Sequence, residues 1–316
     1  MARLNATLTD KMKDKLLFFK KNPYIRLLIS KKNWFLGGWF LGRYGDKEYI
    51  VRLYKKAFGR EPNLDHPKTF NEKLQWLKLY YRDPDMAICA DKYEVRSYLN
   101  DKGFGDILNT VYEVYANADD IDFSKLPESF VLKASHGSGW NIICENKSKY
   151  SWSGWRRVMN SWLDQNLYIY GREWVYKDMK PRIICEKFLE INDGELFDYK
   201  FFCINGKVEF IQATDNDKKT ARINLYDINW NLMKQKYAFV GSPKRIPRPA
   251  KLDQMVEVAK TLSEPFPFAR IDLYDVNGNI VFGEITFFPS SGFKGFDPEE
   301  FDLDLGRKLD LPESNI

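Results

Sequence analysis

Apolar positions recur with helical period in some stretches of the chain and alternate with polar ones in others. Residues 71–80 carry Leu74 and Leu77, with Trp76 and Leu79 less regularly placed, and Thr69 followed by Glu72 marks a helix start. Residues 91–102 read as a second helix, ended by Gly103. Trp155, Val158, Met159, Trp162 and Leu163 form a helical stripe with Ser153 upstream as the expected cap, and Leu252, Met255, Val256, Ala259 and Leu262 form another. Short apolar runs at 130–133 and 142–144 read as strands on either side of the loop Ala134-Ser-His-Gly-Ser-Gly-Trp-Asn141. Further strands are expected at 182–190, 199–204 and 208–213, the last two joined by the hairpin signal Asn205-Gly206. Helices and strands are mixed without regular strand–helix–strand alternation, which predicts an α+β chain with antiparallel sheets.

The stretch 268–293, FARIDLYDVNGNIVFGEITFFPSSGF, is the most informative. Strand-type alternation flanks Asn277-Gly278. A two-residue loop there would oppose Asp272 to Gly283 and turn Glu284 to the other face. A three-residue loop, Val276-Asn277-Gly278, instead places Arg270, Asp272, Tyr274, Ile280, Phe282, Glu284, Thr286 and Phe288 on one surface. Ile271, Leu273, Val281, Ile285 and Phe287 then make an apolar underside, so this second register is the expected one. Two carboxylates and a hydroxyl on neighbouring strands are hard oxygen donors suited to a Mg²⁺ that carries nucleotide phosphates. A solvated strand face bearing an Arg–Asp pair would show the same residues.

Composition adds limits. A chain of 316 residues, 44% hydrophobic, can bury a substantial core and form two or three lobes. Cys89, Cys144, Cys185 and Cys203 are widely spaced and form no CxxC, which points to a reduced cytosolic setting rather than disulfides or zinc. With only His66 and His136, a histidine metal centre or a Ser-His-Asp triad is not expected. The net charge of +5 hides an asymmetry: residues 1–60 hold 15 Lys/Arg against 4 Asp/Glu, and the remainder is acidic. This basic part interleaves Trp, Phe and Leu without a run long enough to span a bilayer, so residues 1–45 are expected either to lie on an anionic membrane surface or to pack as a helical cap. No nucleic-acid reader motif is present, and nucleic acid is not an expected partner.

Other residues carry candidate chemistry. Lys133 ends a strand just before Gly137 and Gly139, where backbone N–H groups and an ammonium could cradle phosphates, although the loop is not a Walker sequence and equally reads as a turn. His136 is read as a turn residue and Asp91 as a helix cap. Asp198 and Lys200 share a strand face, Glu186 and Lys187 lie on another strand, and Arg222 could grip a phosphate or neutralise Asp215 and Asp217.

The order of Lys92, Lys133 with its glycine loop, Ile184-Cys-Glu-Lys-Phe-Leu189, Asp198-Tyr-Lys200, Arg270-Ile-Asp272, Glu284-Ile-Thr286 and Pro289-Ser-Ser-Gly292 resembles the ATP-grasp superfamily over about residues 85–293. Pro67-x-Thr-Phe-Asn-Glu-Lys-Leu-Gln-Trp-Leu-Lys, Asp91-Lys-Tyr, Phe130-Val-Leu-Lys and Gly283-Glu-Ile-Thr-Phe-x-Pro look like its TupA-like branch, associated with teichuronopeptide and other bacterial surface polysaccharides. The resemblance implies an ATP-grasp fold, two antiparallel-sheet subdomains holding ATP between them. It divides the chain into a basic helical region (1–60), a helical lobe (61–125), a small subdomain with the glycine loop (126–190) and a large subdomain with the Mg²⁺ and phosphate site (191–316).

By the same resemblance Lys92 and Lys133 contact phosphates, and the loop with Ser135, Gly137, Ser138 and Gly139 covers them. Glu186, Lys187 and Leu189 lie along adenine, and Asp198 is near the ribose. Asp272, Glu284 and Thr286 bind Mg²⁺, Arg270 stabilises the phosphoryl group, and Lys200 and Arg222 contact phosphate or acceptor. Thr286 departs from the amide-bearing third ligand of many relatives, and no Rossmann-like lobe precedes the core.

The implied activity is an ATP-dependent carboxylate–amine ligase that joins an amino acid or other amine to a uronic acid of a surface glycan. Its setting would be the cytoplasm, at the inner membrane face. Alternatives are an ATP-grasp-type sugar kinase, a glycosyltransferase whose D-x-D would be Asp302-Leu-Asp304 in an apparent surface turn, and a nucleotide sensor or membrane adaptor without turnover. Replacing Asp272 or Glu284 by Ala is expected to abolish Mg-ATP turnover with the fold intact.

Overall fold

The computed structural model describes residues 22–28, 43–191, 196–215, 222–237 and 245–316. In chain order its main elements are helices α1 (23–28), α2 (Asp46–Phe58), α3 (Phe70–Tyr80), α4 (Pro84–Ala90) and α5 (Val95–Asp101), then β1 (Val111–Tyr115), β2 (Phe130–Ala134) and β3 (Asn141–Cys144). There follow α6 (Trp152–Leu163), α7 (Tyr168–Gly171), β4 (Ile183–Lys187), β5 (Phe197–Ile204), β6 (Lys207–Asp215), β7 (Arg222–Tyr226) and β8 (Lys236–Tyr237). The chain ends with α8 (Leu252–Ser263), β9 (Phe268–Val276), β10 (Asn279–Thr286), β11 (Phe296–Asp297) and α9 (Glu300–Lys308). The described residues fall into two compact units, the first drawn from 1–43, 111–169 and 180–188, the second from 44–110, 170–179 and 189–316.

The first unit is built on an antiparallel sheet of order β1-β4-β2-β3. On β2 the buried Phe130, Leu132 and Ala134 alternate with Val131 and Lys133, so one face is core and the other carries the lysine. Trp155, Val158, Met159 and Trp162 of α6 close that core together with Ile183 and Cys185, and Leu27 of α1 packs against it. Ser153 is not the cap of α6. The helix begins at Trp152, whose ring stacks on Phe123 at 4.0 Å, and the flanking Ser151 makes no side-chain cap bond; aromatic stacking sets this helix start. Strand β1 lies within the stretch expected to be helical. Its burial does not alternate, and its pairing with β4 shifts between Val111 and Glu113, so no period of two marks it in sequence.

The second unit holds a five-stranded antiparallel sheet of order β10-β9-β5-β6-β7, with α8 packed on β9, β5 and β6. Helix α3 starts at the expected capping box, with Glu72 N–H donating to Thr69 Oγ1 and the Glu72 carboxylate accepting from Thr69 N–H. Asn71 donates through both its backbone and side-chain nitrogens to Asp302 Oδ1, at 3.0 Å each. Asp302 is therefore a buried tie within helix α9, not part of a surface turn, and no D-x-D site is formed there. The helix expected over 91–102 begins only at Val95; Asp91 Oδ1 instead caps a turn by accepting from Tyr93 and Glu94 N–H. Gly103, at φ +79°, ends α5. All four cysteines are buried and unpaired, and burial pushes the Cys144 thiol up to about 11 and those of Cys185 and Cys203 to about 12. Among the described residues no helix is long and apolar enough to cross a membrane.

The β9–β10 hairpin corrects the expected register. Asn277 (φ 54°) and Gly278 (φ 79°) are both left-handed and form a two-residue loop, with Val276 opposite Asn279. Phe282 then pairs with Leu273, and Ile280 and Phe282 join the underside while Val281 turns to the other face beside Tyr274. Between Phe282 and Glu284 the pairing shifts by one, and Gly283 is the bulged residue. That shift restores Glu284 opposite Asp272 and Thr286 opposite Arg270. The carboxylates thus share a face through a bulge rather than through a longer loop. A Cβ on Gly283 would lie 2.9 Å from both the Asp272 carbonyl oxygen and a Tyr274 ring carbon. Gly283→Ala is accordingly expected to cost about 1–3 kcal/mol in denaturant unfolding, since the crowded neighbour is backbone.

Candidate functional site

Strand pairing in the second unit sets Glu284, Asp272, Lys200 and Gln212 side by side across β10, β9, β5 and β6. Arg270 grips Asp272 in a bidentate contact, Nε to Oδ1 at 2.6 Å and Nη2 to Oδ2 at 2.7 Å. Its Nη2 also reaches Glu284 Oε1 at 3.2 Å and Thr286 Oγ1 at 3.1 Å. Lys200 Nζ donates to Asp272 Oδ2 at 2.8 Å and to Asp198 Oδ2, while Lys92 Nζ lies 3.4 Å from Glu284 Oε2. Lys92, Asp198, Lys200, Arg270, Asp272, Glu284 and Thr286 are therefore brought together. Asp272 is only 2% exposed, so its charge depends on these partners.

Three carboxylates face three cations here. Burial alone would lower Lys200 and Arg270, but Asp272 and its neighbours outweigh it and hold both firmly protonated. Burial alone would raise Glu284, yet Lys92, Arg270 and Lys200 bring it down to about 2. Asp198 goes the other way, raised by burial against the pull of Lys200. A face already balanced accepts a polyanion only if a further cation arrives with it or carboxylates are protonated.

Among the described residues no group of three or more His, Cys, Asp or Glu is arranged to hold a metal ion. Asp272 and Glu284 nevertheless offer hard oxygens on adjacent strands, with the Thr286 hydroxyl donating to Glu284 Oε1 at 3.2 Å. That donor set fits a Mg²⁺ that completes its shell with phosphate and water, and does not fit a closed protein cage. The guanidinium and ammonium groups now on those oxygens are the ones a phosphate would attract.

In the first unit Lys133 Nζ donates to Glu186 Oε2 at 2.7 Å, a charge-assisted bond between β2 and β4. Lys187, next along β4, is exposed and points to the opposite face from Glu186. Ser135 is buried, its N–H donating to the Arg182 carbonyl, whereas Ser138 and Gly139 are exposed. The Trp140 ring lies so close to Gly137 that a Cβ there would sit 2.1 Å from it, which explains that glycine by packing. His136 is buried, with Nε2 2.9 Å from the Trp162 carbonyl oxygen, and ties the loop to α6. Leu189, just past β4, belongs to the second unit and is partly buried. The Arg222 side chain lies outside the described residues, as do Asp217 and most of the basic region 1–42.

Sequence reasoning missed Gln212 and Thr214, joined by a 3.4 Å side-chain bond, although their alternation with buried Ile211 and Ala213 was readable. It also missed Glu173 and Tyr176, both buried and near enough for the charges of Arg270 and Glu284 to act on them. No local pattern marks those two.

Comparisons with known proteins bear on this arrangement. D-alanine–D-alanine ligase from Bacillus anthracis is 18% identical, with 70% of this chain and 67% of that chain covered and a TM-score of 0.40. The same enzyme complexed with ATP gives 17%, 63% and 55% coverage, and 0.36. Carboxyaminoimidazole ribonucleotide synthase from Aspergillus clavatus complexed with ATP gives 12%, 63% and 44% coverage, and 0.36. The chain spans about half the length of these last two, and likenesses this distant add nothing to the family assignment. No curated protein matches. The TupA-like ATPgrasp family model matches residues 72–310, which include the whole charged face and the glycine loop, and the chain, α+β with antiparallel sheets, belongs to that family.

Proposed function

We propose that the chain is an ATP-dependent carboxylate–amine ligase that joins an amine to a uronic acid of a bacterial surface glycan through an acylphosphate. The observation that carries this reading is the Arg270–Asp272–Lys200–Glu284 network, which collects paired carboxylates and cations on one sheet face. Lys92, Lys200 and Arg270 are fixed positive groups suited to phosphate oxygens, and Asp272 and Glu284, once released by them, are suited to Mg²⁺. The bound metal would supply charge neutralisation of the phosphates. Arg270 and Lys200, once a metal ion takes their place on the carboxylates, are held beside the site to meet negative charge that develops on a phosphoryl group. Lys133 and the loop Ser135 to Asn141 are proposed as further phosphate contacts, with Glu186 holding the lysine until ligand arrives.

The test is a mass-spectrometric screen of uronic acids against amino acids with ATP and Mg²⁺. An amide product with ADP release, and hydroxamate formation when hydroxylamine replaces the amine, supports the ligase. A stable phosphosugar would replace it with a kinase.

The basic amino-terminal region is proposed to hold the enzyme at an anionic membrane. Removing residues 1–21 is expected to reduce co-sedimentation with anionic vesicles; undiminished binding overturns this. The deletion stops there because Leu27 packs into the first unit's core and Arg26 Nη1 donates to the Asn141 carbonyl at 2.9 Å.

A further inference from the structure

The motif around α3 has so far explained a helix cap and the Asp302 tie, but its remaining polar residues, Gln75 and Lys78, point elsewhere. Lys78 is fully buried, 1% exposed, and its ammonium donates to three oxygens: Gln75 Oε1 at 3.0 Å, the Gly171 carbonyl at 2.9 Å and the Ser291 carbonyl at 2.6 Å. Gln75 Nε2 donates to the carbonyls of Ser291 at 3.2 Å and Gly292 at 2.9 Å. The Ser291 hydroxyl bonds Glu173 Oε1. Four of these contacts end on the Pro289–Gly292 turn.

That turn is unusual in its backbone. Ser290, Ser291 and Gly292 are successively left-handed, at φ 49°, 54° and 63°, a conformation that two serines adopt only when their surroundings impose it. The packing is tight as well: a Cβ on Gly292 would lie 2.4 Å from Gln75 Nε2, and one on Gly171 2.4 Å from Ser291 Oγ. The turn follows Thr286 after only Phe287 and Phe288, both 2% exposed, so its position is transmitted to the end of β10.

We propose that Lys78 and Gln75 are positioning residues, which hold the Pro289–Gly292 turn in its left-handed form and so set the end of β10 where Glu284 and Thr286 meet Arg270. The importance of these two residues for Mg-ATP rests on the function proposed above; the clamp itself does not. Burial lowers Lys78 to about 7, opposed by the charge of Glu173. Glu173 in turn is raised by burial and faces Lys78, Ser291, Arg270 and Glu284, with the buried Tyr176 alongside. A charged ammonium has three hydrogens for its three acceptors, whereas the neutral amine has two.

Hydrogen exchange reads this directly at the amides of Ser291 and Phe293, which donate within the turn to the carbonyls of Phe288 and Ser290. Lys78→Met and Gln75→Ala are each expected to speed exchange there by on the order of tenfold, with β2 and β4 of the first unit unchanged. In the wild-type protein the buried Lys78 releases its proton near pH 7 while the opened chain holds it to about 10.5, so opening takes up a proton above pH 7 and protection at the same amides, corrected for intrinsic rates, is expected to rise as pH rises above about 7. This arm does not depend on a variant folding. Both variants should also weaken Mg-ATP by about tenfold. Unchanged exchange at Ser291 and Phe293, or a rise spread evenly over the second unit, overturns the clamp. Should the wild-type protein not bind Mg-ATP, the proposed function falls while the exchange measurements still decide the clamp.

Discussion

Asp272→Asn is expected to lower Mg-ATP turnover by about a hundredfold to a thousandfold, the range for losing one preorganised electrostatic group. The carboxylate is the hub of the charged face: it receives both arms of Arg270 and the Lys200 ammonium at 2.6–2.8 Å while almost wholly buried. Asparagine keeps the shape and removes the charge, and its amide nitrogen meets a cation. Asp272→Ala goes further and leaves Arg270 and Lys200 buried beside a void. Breaking a buried pair in this way costs about 3–5 kcal/mol. An intact fold for the alanine variant, expected from sequence, is thus not what the structure supports. Comparing turnover of the asparagine variant with unfolding of both separates the site from the fold.

Acid should act on the same face through Glu284. Its folded pKa, about 2, lies below the ordinary 4.5, so the unfolded chain binds the proton more readily and this carboxylate stabilises the fold above pH 4.5. That contribution is lost as pH falls from 4.5 towards 2. Glu284→Gln is expected to be less stable than wild type by about 1–2 kcal/mol at pH 7, discounted because the side chain is 34% exposed, and equal to it near pH 2. Asp198, raised by burial, contributes with the opposite sign, gaining relative stability as it protonates, so the difference between the two proteins isolates Glu284. Chemical denaturation across pH measures it; a difference that stays constant down to pH 2 contradicts the pairing with Lys92 and Arg270.

Much of this was readable in the letters because local chemistry dictated it. Thr69 and Glu72 announced α3, Asn205-Gly206 and Asn277-Gly278 announced hairpins, and the alternation along β9 placed Arg270 and Asp272 on one side. The register of β10 was misread near its loop because Gly283 was taken as one more strand residue, when its missing side chain is what admits the bulge. Strand β1 stayed hidden because its burial does not alternate, and α4 because seven residues give no helical period. Asp302 looked like a surface acid, since the nitrogens that bury it belong to Asn71 at the other end of the unit's chain. Lys78, Glu173 and Ser291 come from three distant segments, and only folding reveals that they meet.

The charged face of the second unit is proposed to be a Mg-ATP site. Calorimetric titration of ATP into the full chain, with and without Mg²⁺ and in the Asp272→Asn variant, tests that most directly. The prediction is binding to wild type in Mg²⁺ that weakens by at least about tenfold without the metal or in the variant. Equal affinity under all three conditions, or no binding to wild type, would contradict it.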